Sequence, residues 1–287
     1  MSAALPPAPL VDPGVGHGLA DVLRKRFLLG LLVRKELRVR YRGSVLGLFW
    51  SYVKPAVQFV VYYFALGVFL QLNRGIDDFA VYLFSGIVAV NFFTEAFGNA
   101  TRSVVGNAPL VKKIYLPREM FPVSSLIVAA IHFLPQMAVL LVAAFAVGWR
   151  PTFAEFGFGV LGFTIVGVLS LGLGLLFGAV NVFYRDFENI VDLLLLVATW
   201  ASPVLYPWTA VRDAFGEGLL LDVYLSNPLT VAVNLFHRAF WYPATDQTAE
   251  LPPLAGPLAA GGLLTVALLV LGQLVFSRAE RKFAQEL

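Results

Sequence analysis

The chain has no cysteine, and only three histidines and three methionines in 287 residues. The missing thiols exclude a disulfide scaffold, a thiolate zinc site and a cysteine nucleophile. His17, His132 and His237 are scattered without metal-ligand spacing. Charge is also scarce. Asp, Glu, Lys and Arg make up 14% of the residues, against about 25% in a soluble domain. The formal net charge of +3 is small and points to no nucleic-acid partner. The first 20 residues are rich in Pro and Gly and lack the apolar core of a secretory signal. The short apolar run 27–33 meets Arg34, Lys35 and Glu36 before it could cross a bilayer.

What the chain has in abundance is apolar sequence, 59% of its residues. A soluble protein of this length could not cover its surface with so few polar groups, so one all-α membrane domain is expected over 27–287, preceded by a flexible segment 1–26. A spanning helix needs about 20 apolar residues. Six runs qualify, at about 53–72, 79–97, 123–147, 157–180, 190–207 and 254–276. The second is the most polar, with Ser85, Asn91, Thr94 and Glu95. The fifth ends in Ser202-Pro203-Val-Leu-Tyr206-Pro207, where the helix should break. Between the fifth and sixth runs, the apolar pieces 218–224 and 228–241 are too short to cross and fit re-entrant half-helices.

The basic residues give an orientation. With the N-terminus inside, Arg24, Lys25, Arg26, Arg34, Lys35, Arg38, Arg40, Arg42, Arg102, Lys112, Lys113, Arg118, Arg185, Arg278, Arg281 and Lys282 fall on the inner side, and only Arg74, Arg150, Arg212 and Arg238 on the outer. Sixteen against four implies an even number of spans with both ends cytoplasmic. Residues 27–42 read as an interfacial helix: Leu29, Val33, Leu37 and Tyr41 form an apolar stripe beside Arg34, Arg38 and Arg42, which suits the boundary between lipid tails and anionic headgroups.

Several motifs are decoys. Gly157-Phe-Gly159-Val-Leu-Gly162 has the letters of a dinucleotide fingerprint but opens an apolar helix and follows no strand. Asn99-Ala-Thr101, a glycosylation pattern, falls on the inner side. No Gly-Lys pair occurs, so the chain has no P-loop, and an ATP-driven machine would take its nucleotide site from another chain. Ser170, Gly174 and Gly178 permit close helix approach, within the subunit or at a dimer seam. Asp186, Glu188 and Asp192 read as a charged connector, although such a cluster can also hold Mg²⁺. His132 is an ionisable group inside a span, to be weighed against a histidine bonded to a backbone carbonyl. No carboxylate sits at the middle of a span, which disfavours proton coupling. Phe59, Tyr62, Tyr63, Tyr82, Phe84, Trp200 and Tyr206 fit interfacial anchors, core residues or stacking surfaces for sugar rings.

Four segments together resemble the ABC-2 family of export permeases, in its branch for O-antigen, teichoic acid, capsule and related glycans. They are Arg38-Val-Arg-Tyr41-Arg42-Gly43-Ser44-Val-Leu46-Gly47-Leu-Phe-Trp50 with Pro55; Asn107-Ala-Pro-Leu110-Val-Lys112-Lys113-Ile-Tyr115-Leu-Pro117-Arg118; Phe183-Tyr-Arg185-Asp186-Phe187-Glu188 followed by 202–207; and Asn227-Pro228-Leu229. The resemblance implies a multi-pass protein of a bacterial plasma membrane, homodimeric, resting on two ATPase subunits that bind ATP and Mg, with no cofactor or catalytic residue in this chain. It assigns ATPase contact to Asn107, Leu110, Lys112, Lys113, Tyr115, Arg118, Arg185, Asp186 and Glu188, and a dimer-interface channel to the aromatics named above. The diphosphate of a lipid-linked glycan, a galactan among the candidates, would be drawn to Arg34, Arg38, Arg40 and Arg42. A permease for a drug or small lipid is the nearest alternative, and a polyprenyl-diphosphate enzyme a more distant one.

Overall fold

A computed structural model of the chain describes residues 18–114, 116–247 and 249–287. They form helices α1 (Leu19–Arg24), α2 (Arg26–Arg40), α3 (Trp50–Tyr62, continued by a wider π-helical stretch Tyr63–Phe69), α4 (Phe79–Gly106), α5 (Ala108–Lys113), α6 (Met120–Ala146), α7 (Phe153–Phe183), α8 (Phe187–Trp200), α9 (Trp208–Phe215), α10 (Leu219–Ser226), α11 (Pro228–Phe236, with a π turn to Trp241), α12 (Ala255–Ala279) and α13 (Phe283–Glu286). No strand occurs among the described residues. Local chemistry sets several boundaries. Thr152 and Glu155 form a capping box that starts α7. Asn227 caps the start of α11 through the Leu229 amide. Pro109 sits in the first turn of α5, where its missing N–H is harmless.

Five of these segments are long and apolar enough to cross a bilayer: Trp50–Phe69, α4, α6, α7 and Ala255–Glu286. The sixth crossing comes from packing. Val22 and Leu29 from one end of the described chain share a core with Phe276 and Phe283 from the other, together with Met120 and Val182. Both ends therefore lie at one end of the bundle, here called the base, and the number of crossings is even. The fifth expected span, 190–207, is helical only to Trp200; α8 has 14 residues and a length of about 21 Å. Turns at 201–206 complete it. The whole stretch runs beside α4. Asp192 pairs with Arg102, Leu195 faces Gly98 and Val204 faces Gly86. The Tyr82 hydroxyl lies 2.7 Å from the Pro203 carbonyl and 2.8 Å from that of Tyr206. From Tyr82 to Arg102, α4 rises about 30 Å, a full hydrocarbon thickness.

The α10–α11 pair is bent by 69° and does not cross. Its vertex packs on Gly261, one-quarter of the way along α12. α11 then returns to the far face, where the Trp149 indole donates to the Ala239 carbonyl and the Trp241 indole to that of Asp77. This is the re-entrant arrangement expected between the fifth and sixth spans.

Two expectations are corrected. The segment 1–26 is not flexible throughout: residues 1–17 lie outside the described residues, but α1 is helical and Val22, 1% exposed, is anchored in the base core. The stripe of α2 does not face lipid. Leu29, Leu32 and Val33 are buried, and Leu37 packs on the same core, because α2 lies against α6. Close helix approach has a clear residue basis. A Cβ at Gly272 would overlap the Gly172 carbonyl where α12 crosses α7, and one at Gly174 would overlap Ala100 of α4. The small-residue row of α7 is thus an internal packing surface.

Candidate functional site: a polar cleft beside α2 and α3

α2 is fastened along its inward face by polar contacts on successive turns. Lys35 donates to the Asn107 side chain at the α4–α5 junction, 2.5 Å away. Glu36 accepts from the Ser124 hydroxyl of α6 at 2.7 Å. Burial pushes the Glu36 carboxyl above its ordinary range, with the Ser124 bond opposing that shift. One turn on, Arg40 pairs with Glu95 of α4. Glu95 also lies 2.5 Å from Nδ1 of His132, and the Tyr41 hydroxyl lies 2.7 Å from His132 Nε2 and 3.0 Å from Ser51 Oγ. One proton arrangement satisfies the set: His132 donates from Nδ1 to Glu95, Tyr41 donates to Nε2, Ser51 donates to Tyr41, and Arg40 donates to Glu95. The contact of 3.0 Å between Arg40 Nη1 and His132 Nδ1 is then proximity between two donors to one carboxylate.

This network forms one wall of a cleft of about 690 Å³, lined by Arg40, Tyr41, Ser44, Trp50, Ser51, Lys54, Pro55, Gln58, Asn91, Thr94, Glu95, Asn99, His132 and Gln136. Counted along α4 from Arg102, Glu95 stands about 10 Å and Asn91 about 16 Å into the bundle. The cleft therefore climbs from near the base to the middle of the crossing. It opens beside α3, the least buried of the long helices apart from its ends, whose Val57, Val60, Val61 and Phe64 are exposed.

Among the sequence-predicted cations, Arg40 reaches this cleft, while Arg34, Arg38 and Arg42 are exposed elsewhere on α2 and the corner after it. The aromatics do not gather on one open face. Tyr82, at 3% exposure, and Phe84 are core residues of the subunit, and Phe84 meets a small apolar pocket with Tyr52, Pro55 and Phe59. Tyr82 stacks on His237 with ring centroids 4.0 Å apart. Phe59, Tyr62 and Tyr63 are half-buried against that core. Tyr206 is half-buried and donates to the Trp200 carbonyl. Trp200 is the open one, at 56%.

At the base, Lys112, Lys113, Arg185 and Asp186 are exposed and Leu110 is half-buried. Asn107 is buried and taken up by Lys35. Arg118 lies over the Phe283 ring at 5.9 Å, and Tyr115 lies outside the described residues. Glu188, 3.8 Å from Arg102, and Asp192 share that one guanidinium, so this acidic group is bound into an ion cluster. Among the described residues, no group of three or more His, Cys, Asp or Glu side chains could hold a metal ion.

Sequence reasoning missed Glu95 as the partner of Arg40 and His132. The signal was present, since Glu95 is the only carboxylate within 79–97, and an ionisable group inside a span marks function by default. Lys35 and Arg102 passed as topology markers because their partners are 72 or more positions away in the chain.

Relatives and a family profile agree on the class. The profile of the ABC-2 type transporter matches residues 28–241. The O-antigen export system permease protein RfbA of Myxococcus xanthus is 29% identical over 267 residues, 93% of this chain and 98% of that protein. RfbA of Klebsiella pneumoniae is 26% identical over 262 residues, covering 90% and 94%. The polysialic acid transport protein KpsM of Escherichia coli is 22% identical over 212 residues, covering 72% and 79%. The profile takes in α2 through α11, including the cleft and the re-entrant pair, and this chain belongs to the ABC-2 type transporter family.

Proposed function

We propose that this chain is the membrane-spanning subunit of an ATP-driven exporter that moves a lipid-linked polysaccharide across the plasma membrane. The observation that carries this reading is likeness along nearly the whole length to permeases named for O-antigen export. The chain has no P-loop of its own, so the motor is a separate ATPase, two copies serving two copies of this chain. The exposed Lys112, Lys113, Arg185 and Asp186 at the base are the natural docking points. The base is cytoplasmic by its excess of Lys and Arg. The exposed apolar side of α8, with Ile190, Leu193, Leu196 and Val197, supplies a surface for the second copy, and Trp200 beside it a stacking surface for sugar.

Export of a galactan, an O-antigen or a teichoic acid fits these features equally. A permease for a drug or small lipid predicts a dry apolar passage; the polar cleft favours glycan.

The test is deletion of the chain in its native cell. Lipid-linked glycan should accumulate on the cytoplasmic side, and a P-loop ATPase should co-purify with the tagged chain. Normal glycan at the surface of the deletion strain would contradict the reading.

A further inference from the structure

We infer that the cleft between the α2–α3 corner, α4 and α6 is a saccharide-binding entry site, which grips the first sugars of the substrate through its amides and Trp50 and meets the phosphates through Lys54 alone. The inference rests on the transport reading above and adds a binding site to it.

The argument starts from the groups that face the cleft. Four are side-chain amides, Gln58, Asn91, Asn99 and Gln136. An amide offers donors and acceptors together, as a sugar hydroxyl does. A diphosphate only accepts hydrogen bonds and calls for several unpaired cations. The cleft is poor in those. Arg40 is neutralised by Glu95, which leaves Lys54 as the one lining cation without an ion pair among the described residues.

The aromatic requirement is also met. Trp50, 44% exposed, stands at the rim in the first turn of α3, and its electron-rich face suits the weakly positive C–H face of a sugar ring. The size fits a short saccharide and exceeds what a lone ion needs, since small-molecule sites run about 300–1,000 Å³. The cleft also leads from near the base to Asn91 at mid-bundle, so a bound sugar would already be part-way across.

Division of labour follows. Lys54 meets the diphosphate, while the amides and Trp50 meet the sugar. The Arg40–Glu95–His132 network holds the wall in shape without presenting net charge.

The test uses the full-length chain in lipid nanodiscs and two probes, farnesyl diphosphate and farnesyl-diphosphate-linked trisaccharide. The trisaccharide probe should bind at least tenfold more tightly. Gln58→Ala with Asn99→Ala, both half-buried at the cleft, should abolish that preference and leave farnesyl diphosphate within twofold. Trp50→Phe, which keeps a stacking ring, should retain most of the preference, and Lys54→Ala should weaken both probes alike. Equal binding of the two probes would assign the cleft to a lipid headgroup and overturn the inference. So would a preference that survives in the double variant. The binding measurement needs no transport, so it decides the site separately: normal glycan export after deletion would overturn the transport reading and leave the binding result standing.

Discussion

The base and the far face of this bundle are built by different means. At the base, α2 and the ends of α4 and α8 are joined by charged and hydrogen-bonding side chains: Lys35 to Asn107, Arg40 to Glu95, and Arg102 to Glu188 and Asp192. At the far face, the re-entrant pair is held by the stacking of His237 on Tyr82 and by the indoles of Trp149 and Trp241, which donate to backbone carbonyls, while the Tyr82 hydroxyl caps the turns after α8. Lipid gives no hydrophobic drive between helices, so the far face depends on tight packing and on leaving no carbonyl unpaired. The base is wetter. Its ion pairs are half-exposed and individually weak. Such contacts exchange partners at low cost, which suits the end proposed above to receive a motor, whereas the far face has to hold irregular backbone in shape.

That contrast can be broken at four points. The largest effect is expected at the α7–α12 crossing. Gly272→Leu places a side chain on the Gly172 backbone and should cost more than about 4 kcal/mol, the range of severe core defects. Membrane abundance of the variant, read by immunoblot, should collapse; normal abundance would show that the crossing is looser than described. Next is Tyr82→Phe, which removes the one hydroxyl proton shared between the buried Pro203 carbonyl and the part-buried Tyr206 carbonyl. An unpaired buried polar group costs about 1–3 kcal/mol, so thermal unfolding of the purified chain should shift clearly downward. Glu95→Gln belongs to the base. Its stability effect should stay near or below about 1 kcal/mol because the pair is partly solvated, yet export should fall severalfold as Arg40 loses its anion; unchanged export would detach the network from function. The smallest structural disturbance is a cysteine scan. Because the chain has no cysteine, a single Lys112→Cys should react with a membrane-impermeant thiol reagent only from the cytoplasmic side, and Glu217→Cys only from outside. Labelling of both from one side would refute the six-crossing topology.

The long helices were legible in the sequence because a 20-residue apolar run has few other uses. Even parity followed from where Lys and Arg fall, and the shared base core of Val22 and Phe276 carries it independently. The proline-bearing stretch 202–207 announced the end of α8, but not that Tyr82, 120 or more positions earlier, would cap its carbonyls. The cleft was less legible. Its amides come from α3, α4 and α6 and look like stray polar residues until the helices are side by side. Tyr82 and Phe84 show the reverse problem: aromatic character predicts stacking, but the choice between a glycan and a neighbouring helix is made by tertiary packing. The basic stripe of α2 was visible as periodicity, while the inward turn of Arg40 depended on a partner 55 positions away.

Inverted membrane vesicles offer the most direct test of the account. In the orientation proposed above they expose the base to the bath, so lipid-linked glycan added with ATP should become protected from a glycan hydrolase in the lumen, only in vesicles carrying the chain and its ATPase, and weakly with Glu95→Gln. Equal protection without ATP, or in vesicles lacking the chain, would contradict it.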